Sequence, residues 1–289
     1  MPTAEKMTAM NPGLEEKNVH LASLLSHLGR VVVAYSGGVD STFLAAVAHE
    51  TLGPNALAVT AVSPSLADRE LVAATDLARG LGWNHRTVAT HEIERSEYAR
   101  NSGDRCYWCK SELFDVLGPL ADEMRASIAT GTNLDDLSEY RPGLRAADER
   151  LVQTPLAEAR LSKSDVRTLS AARGLPTADK PASPCLASRF AYGVRVTREG
   201  LQRIDRAEEV LRALGFEVLR VRDHGDLARI EVPPENIERV TAQRATIERE
   251  LKSLGFKYVT VDLGGFRSGS LNASLGLPRI RRGGSSTDI

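Results

Sequence analysis

The chain has 289 residues, 42% hydrophobic and 26% charged, the balance of a soluble globular protein long enough for two domains. Lys and Arg total 37 against 38 Asp and Glu; the net charge of −1 excludes a protein held to nucleic acid mainly through backbone phosphates. There is no apolar run near the roughly 18 residues that span a bilayer, and no apolar core in the leading segment MPTAEKMTAMNPGLEEKNVH that would make a signal peptide. Three cysteines are too few, and of the wrong parity, for a disulfide framework. A reduced, cytoplasmic chain with neither membrane nor nucleic-acid partner is expected.

Residues 1–18 are polar and aperiodic and are expected to form a flexible tail, followed by a short helix over 19–29. Arg30–Tyr35 reads as a buried strand that ends in a Gly turn, and Ser41–Thr51 as an apolar helix. Leu57–Val62 is a second strand, Ala67–Leu81 a helix stopped by Gly82, and His85–Ala89 a third strand. Trp108–Met124 has helical spacing, Ser127–Gly131 is a fourth strand, and Leu151–Gln153 a short fifth. Strands alternating with helices predict right-handed crossovers and a mostly parallel sheet, with ligands at the carboxyl ends of its strands. After about residue 190 the style changes. Leu201–Leu214 is a helix closed by Gly215, Glu217–Arg222 and Ala228–Val232 are strands, Glu235–Leu254 is a long helix closed by Gly255, and Tyr258–Asp262 is a last strand. The order predicts a small α+β domain. The expected organisation is a tail over 1–18, a nucleotide domain over 19–193, a substrate or oligomerisation domain over 194–276 and a disordered tail over 277–289.

Ser36-Gly37-Gly38-Val39-Asp40-Ser41 lies between the first strand and its helix. Two glycines permit a tight turn and close backbone approach. The loop N–H groups and the helix N-terminus make an anion site, to which Ser36 and Ser41 add hydroxyls. Asp40 is odd in a pure anion cradle but suits a Mg²⁺ that bridges it to phosphates. No Lys follows the glycines, so this is not a Walker loop. It resembles the PP-loop, SGGxDS, of the ATP pyrophosphatases, which implies cleavage of ATP between its α- and β-phosphates and an adenylylated substrate. Gly131-Thr132-Asn133-Leu134-Asp135-Asp136 follows the fourth strand. Such a turn recurs in PP-loop enzymes and would face the nucleotide, and it also reads as an Asx-type helix cap.

The cysteines fall in two motifs, Cys106-Tyr107-Trp108-Cys109 and Pro184-Cys185-Leu186. A C-x-x-C can be a redox pair, half a zinc site or part of an iron–sulfur site. A thioredoxin-type pair opens a helix in a fold without a nucleotide loop, and zinc wants four ligands; three thiolates suit a [4Fe–4S] cluster with one iron open for sulfide. Three unrelated buried cysteines are the plainer alternative.

Several segments together, YSGGVDST (35–42), RCYWCKSELF (105–114), GTNLDDLSEYRPG (131–143), KPASPCLASRFAYG (180–193), RVRDHGDLARIE (220–231) and DLGGFRSG (262–269), resemble the LarE-type ATP-dependent sulfur transferases over residues 20–275. The resemblance implies a parallel α/β PP-loop fold with a small C-terminal α+β domain. It also implies an enzyme that adenylylates a carboxylate of pyridinium-3,5-biscarboxylic acid mononucleotide, releasing pyrophosphate and AMP, and converts that carboxylate to a thiocarboxylate for the nickel-pincer nucleotide of lactate racemase. Family members supply sulfur either from one sacrificial cysteine or, in three-cysteine forms, resemble cluster-bearing enzymes fed by a sulfide donor. Cys106, Cys109 and Cys185 match the three-cysteine form, and Cys185 as sacrificial donor stays open.

Attack on an acyl adenylate needs cations more than a strong base. Ser188-Arg189 adjoins Cys185, and Arg189 could hold a carboxylate bidentately. Lys110 either touches a phosphate or lies on a solvated helix face. Arg220 and Arg222 alternate on one strand face, Arg229 lies on the next strand, and Arg267-Ser268 follows the Gly264-Gly265 turn. They are expected to grip the substrate's 5′-phosphate; the alternative is cross-strand pairing with Asp226, Glu231 or Asp262. Two other functions keep the PP-loop: an RNA thiolase, disfavoured by net charge and the lack of an RNA module, and a nucleotide sensor that never cleaves ATP. A homo-oligomer is expected.

Overall fold

The computed structural model describes residues 12–138 and 142–267, so Ser268 and the expected tail over 277–289 lie outside the described residues. The chain forms two compact units, Met1–Ala99 with Asp104–Cys185, and Arg100–Gly103 with Leu186–Ile289. The division therefore falls at Cys185, a few residues before the Gly193/Val194 boundary expected from sequence.

In the first unit α1 (Pro12–Leu28), β1 (Val31–Ala34), α2 (Val39–Leu52), β2 (Ala56–Val62), α3 (Asp68–Gly80) and β3 (His85–Ala89) follow in turn. Then come α4 (Ser96–Ala99), α5 (Arg105–Met124), β4 (Ser127–Thr130), α6 (Pro142–Asp148), α7 (Pro155–Glu158) and α8 (Lys163–Ala172). The strands pair in parallel in the order β3-β2-β1-β4. β1 is the hinge of that order: the chain leaves it to build β2 on one side and β4 on the other, which places a topological switch point at its carboxyl end. Three consecutive valines hold β1 in place, because β-branched side chains pack well on a pleated sheet. Val31 and Val33 enter the layer formed with Leu21, Leu25, Phe43, Leu44 and Leu169, while Val32 faces the opposite layer with Leu57, Val59, Leu117 and Ala121. This is the period-2 alternation of a strand covered on both faces.

The second unit contains α9 (Arg198–Ala213), β5 (Arg220–Asp223), β6 (Leu227–Glu231), α10 (Ile237–Ala242), α11 (Arg244–Ser253) and β7 (Tyr258–Val261). Its sheet runs β5-β6-β7, antiparallel then parallel. Leu211, Phe216, Val221, Ile230, Ile247 and Leu251 form a core of its own.

Several expectations are corrected. Residues 12–18 belong to α1 and are not a tail, and Asn18 within that helix is buried; the remainder of the expected tail, 1–11, lies outside the described residues. Leu151–Gln153 makes only one bridge, Gln153 to Ala129, because Leu151 has φ +54° and cannot continue a strand. The long helix expected over Glu235–Leu254 breaks at Gln243, whose φ and ψ of −96° and 13° leave the helical well. The helices of residues 142–172 escaped the sequence reading, and α8 is the one with a clear start signal, the Ser162/Asp165 capping box.

Candidate active site

The phosphate loop emerges from the switch point and closes on itself through its two serines. The Ser36 amide and hydroxyl meet Ser41 Oγ at 3.1 and 3.0 Å, and Ser41 Oγ donates to the Gly38 carbonyl at 3.2 Å. Gly37 has φ +69°, and a Cβ there would stand 2.8 Å from Ala74 Cβ on α3, so both conformation and space demand glycine. α2 has Gly38 as its N-cap, which supplies no side-chain cap. Its first-turn N–H groups are thus not covered by a capping side chain, the condition for an anion site at a helix N-terminus.

The turn after β4 reaches this loop. A Cβ on Gly131 would stand 2.7 Å from the Ser41 amide nitrogen, so the Gly-Thr-Asn turn packs directly on the loop backbone. Asn133, 1% exposed, accepts at Oδ1 from the amides of Asp135 and Asp136, and its Nδ2 donates to Asp40 Oδ1 at 3.2 Å. The Asx-cap reading of this turn therefore holds, and Asn133 caps the turn with one end while it orients Asp40 with the other. Thr132 contacts Thr130 through their hydroxyls at 3.1 Å.

Two lysines flank the loop, and the sequence reading gave neither a role. Lys163, at the start of α8, forms an ion pair with Asp40, and its amide donates to Asp135 Oδ2 at 2.8 Å. Lys180 donates to the Gly37 carbonyl at 3.0 Å and pairs with Glu70 at 2.7 Å. The capping box before Lys163 and the KPASPC segment that holds Lys180 were the available signals. The Asp40 carboxylate already holds a cation, the Lys163 ammonium, beside an anion-binding loop; that is the donor chemistry a Mg²⁺ at this carboxylate requires.

The cysteine motifs lie in the same unit. Cys106 and Cys109 sit on the first turns of α5, Cys106 exposed and Cys109 half-buried, while Cys185 is exposed at the end of its segment. Burial, then the neighbouring Cys185, Glu92 and Cys106 charges, push the Cys109 thiol up to about 12, against a smaller opposing effect of Lys110. Each of the other two thiols is thus near enough to act on Cys109. Tyr98, 1% exposed, is pushed up by burial and by the same Cys185 and Cys109. The three thiols supply the right ligand type for an iron–sulfur cluster. Among the described residues, however, no group of three or more His, Cys, Asp or Glu side chains is drawn together as a metal-holding set. The cysteines neighbour one another without forming a ligand cage. Lys110 is exposed on α5 beside them. Trp108 donates from Nε1 to Asp104 at 3.0 Å and stands edge-on to Tyr107, a packing role.

The remaining candidates belong to the second unit. Arg189, 1% exposed, grips Glu208 with two bonds of 2.9 and 3.2 Å, and Glu208 also takes Arg212 at 3.0 Å and the Val221 amide at 3.2 Å. Its guanidinium is committed to the core, in contrast to the expected grip on a substrate carboxylate. Ser188 Oγ accepts from Arg189, and the Ser188 carbonyl accepts from Arg222 at 2.8 Å. Arg222 and Arg229 lie opposite each other across β5 and β6 and share Glu231 at 2.8 and 3.0 Å, with Asp262 3.5 Å from Arg229. The cross-strand pairing alternative thus describes these two, except that Asp226 pairs with Lys257. Arg220 differs. It covers the Phe266 ring at 5.2 Å, and burial followed by the charge of Arg189 pushes it down to about 10. Arg267 folds over Gly264, its Nη2 2.8 Å from where a Cβ would stand. A depression of about 330 Å³ lined by Phe190, Thr197, Arg203 and Asp223 involves none of these candidates.

A parallel sheet whose switch point carries SGGVDS, with an acidic side chain and flanking lysines at the loop, defines an α/β protein of the PP-loop class. A family model described as NAD synthase matches residues 19–105. The chain is 39% identical over 264 residues, 91% of its length and 96% of the relative's, to the pyridinium-3,5-bisthiocarboxylic acid mononucleotide synthase of Lactiplantibacillus plantarum. It is 49% identical over 265 residues to an uncharacterized Synechocystis protein, covering 91% and 99% of the two chains. With an uncharacterized Methanocaldococcus jannaschii protein it shares 31% over 240 residues, 83% and 91% of the chains. The chain belongs to the LarE-type family of sulfur transferases.

Proposed function

We propose that this enzyme uses ATP to adenylylate a carboxylate of pyridinium-3,5-biscarboxylic acid mononucleotide and replaces a carboxylate oxygen with sulfur, a step in nickel-pincer nucleotide synthesis. The observation that carries the reading is the loop assembly of Ser36, Gly37, Gly38, Ser41, Asp40 and Gly131 in a chain so similar to a named pyridinium thiocarboxylate synthase. A substrate carboxylate oxygen attacks the α-phosphorus, the bond to the bridging oxygen of the β-phosphate breaks, and pyrophosphate leaves. The loop amides and the α2 N-terminus hold the phosphates, and Lys163 and Lys180 offset the charge that develops on the leaving pyrophosphate. Asp40 would hold a Mg²⁺, which when bound would add positive charge at the phosphates.

We assign the substrate phosphate to Arg220 with Arg267, while Arg222 and Arg229 stay engaged by Glu231 beside them. Arginines 189, 212, 220, 222 and 229 lie around the buried Glu208 and Glu231, and Arg220 is pushed down first by its burial and then by the charge of Arg189. An arriving phosphate dianion relieves that repulsion.

Cys106, Cys109 and Cys185 are the assigned sulfur-delivery set. In number and chemistry they match three thiolate ligands of a [4Fe–4S] cluster whose open iron would carry sulfide, although closing on a cluster requires the side chains to draw together. A second route is favoured by the exposure of Cys185. Its Sγ attacks the acyl carbon and AMP leaves, giving a thioester; loss of the Cys185 Cα proton then breaks its Cβ–Sγ bond. The substrate leaves as thiocarboxylate and dehydroalanine stays at position 185.

The decisive experiment incubates anaerobically purified protein with ATP, Mg²⁺ and the pyridinium dicarboxylate mononucleotide. AMP, pyrophosphate and a product carrying sulfur for oxygen are expected; ADP and phosphate would overturn the reading. Iron and acid-labile sulfide analysis with the intact protein mass separates the routes, because sacrifice of Cys185 removes one H₂S from the protein.

A further inference from the structure

The segment that carries Cys185 is tied to the phosphate loop by Lys180, and to α3 behind the loop by a carboxylate that the reaction above does not use. Glu70 lies in the first turn of α3, its side chain 13% exposed. It accepts Lys180 Nζ at 2.7 Å and Ser183 Oγ at 3.1 Å, both on the stretch that ends at Cys185. Arg69 stands 3.3 Å away at the rim. Lys180 simultaneously donates to the Gly37 carbonyl inside the loop at 3.0 Å. α3 also backs the loop directly, through the close approach of Ala74 to Gly37. Loop, α3 and cysteine segment therefore meet at one ammonium and one carboxylate.

Burial alone would raise the Glu70 carboxyl, but hydrogen bonds from Lys180 and Ser183 with the charges of Lys180 and Arg69 hold it below the usual carboxylate range. The junction is accordingly an ion pair at neutral pH. An ammonium has three donors, and Lys180 uses two of them here, on Gly37 and Glu70. A polyphosphate cradled on the loop amides brings negative charge beside Lys180, and two contacts leave its ammonium one further donor for that charge.

We propose that Glu70, Lys180 and Ser183 form a latch that couples occupancy of the phosphate loop to the placement of Cys185. Glu70 and Ser183 are positioning residues; Lys180 transmits, because it touches both the loop and Glu70. The inference rests on reading the loop as an ATP site. The contacts already tether the segment to the loop, so its consequence is sensitivity: nucleotide charge that draws on Lys180 shifts the tether and with it the exposure of Cys185.

The test measures ATP binding by calorimetry and, in parallel, labelling of Cys185 by N-ethylmaleimide, read by peptide mass spectrometry with exposed Cys106 as internal reference. ATP with Mg²⁺ is expected to slow Cys185 labelling in the natural protein about fivefold or more. Glu70→Gln is expected to bind ATP yet shrink that protection below about twofold, with Lys180→Arg retaining most of it. Equal protection in Glu70→Gln with ATP bound overturns the latch alone, since simple occlusion by nucleotide would then suffice. Absence of ATP binding to the natural protein overturns the latch and the loop reading together. Should Glu70→Gln not fold, Ser183→Ala carries the same comparison, and undiminished protection in it overturns the latch.

Discussion

The two units handle charge in opposite ways. In the first, the cations at the phosphate loop are paired but accessible: the Lys163 and Asp40 side chains are 38% and 22% exposed, and those of Lys180 and Glu70 24% and 13%. In the second, the side chains of Arg189 and Glu208 are each 2% exposed, and those of Arg222 and Glu231 7% and 0%. Accessible pairs contribute little to stability and exchange partners readily. Buried pairs are held by the penalty of leaving one charge alone. The difference teaches that the first unit keeps its loop cations in accessible pairs, whereas the second locks Arg189 and Arg222 into its interior.

The largest effect expected from breaking this contrast is at Glu208. Glu208→Gln leaves Arg189 without its bidentate partner inside the core and should destabilise the second unit by about 3–5 kcal/mol, read as a lower urea midpoint. Acid should act on the same bond. Burial alone would raise the Glu208 carboxyl, but Arg189 and Arg212 hold it below its usual range. Its contribution is therefore present above the unfolded carboxylate range near about 4.3 and is lost as pH falls through the lower folded value. A midpoint that stayed constant down through that acid window would show that the pair does not support the unit.

At the loop, Asp40→Asn should leave the fold intact, since the pair it breaks is accessible. Pyrophosphate release should fall by about a hundredfold, as for loss of a group aimed at developing charge. An unchanged rate across a Mg²⁺ titration would remove Asp40 from the metal's path. In the second unit, Arg220→Ala should raise the substrate KM about ten- to a hundredfold and spare the KM for ATP, the size of a lost charge-assisted hydrogen bond. A lower Tm with both KM values unchanged would place Arg220 with Arg189 as structure.

The smallest effect sharpens the comparison within the cysteines. With its thiol pushed up to about 12 by burial and neighbouring charge, Cys109 should be alkylated more slowly than Cys106 and Cys185 at pH 8, the gap narrowing as pH rises. Equal rates for all three thiols would show that Cys109 is as accessible as its neighbours.

The phosphate loop was legible in sequence because its function is local. Two glycines, two serines and the strand and helix around them are contiguous, and the backbone conformation they permit is the anion site. The valines of β1 and the order of alternating elements likewise carried the parallel sheet. Lys163 and Lys180 were not legible. Each is one charged residue with no local pattern of its own, brought to the loop by α8 and by the segment before Cys185 across more than a hundred residues.

Arg189 shows the converse. Its neighbours in sequence, Ser188 and nearby Cys185, suggested a ligand for substrate, whereas the fold turns its guanidinium inward onto Glu208. By itself the sequence determined the glycine–serine loop, the parallel α/β plan and the cysteine inventory, because each is written in adjacent residues or in a repeating period. Only the tertiary structure decided which charges neutralise one another and which stand ready for a ligand. Burial and partner distance set that outcome, and both arise when segments far apart in the chain meet.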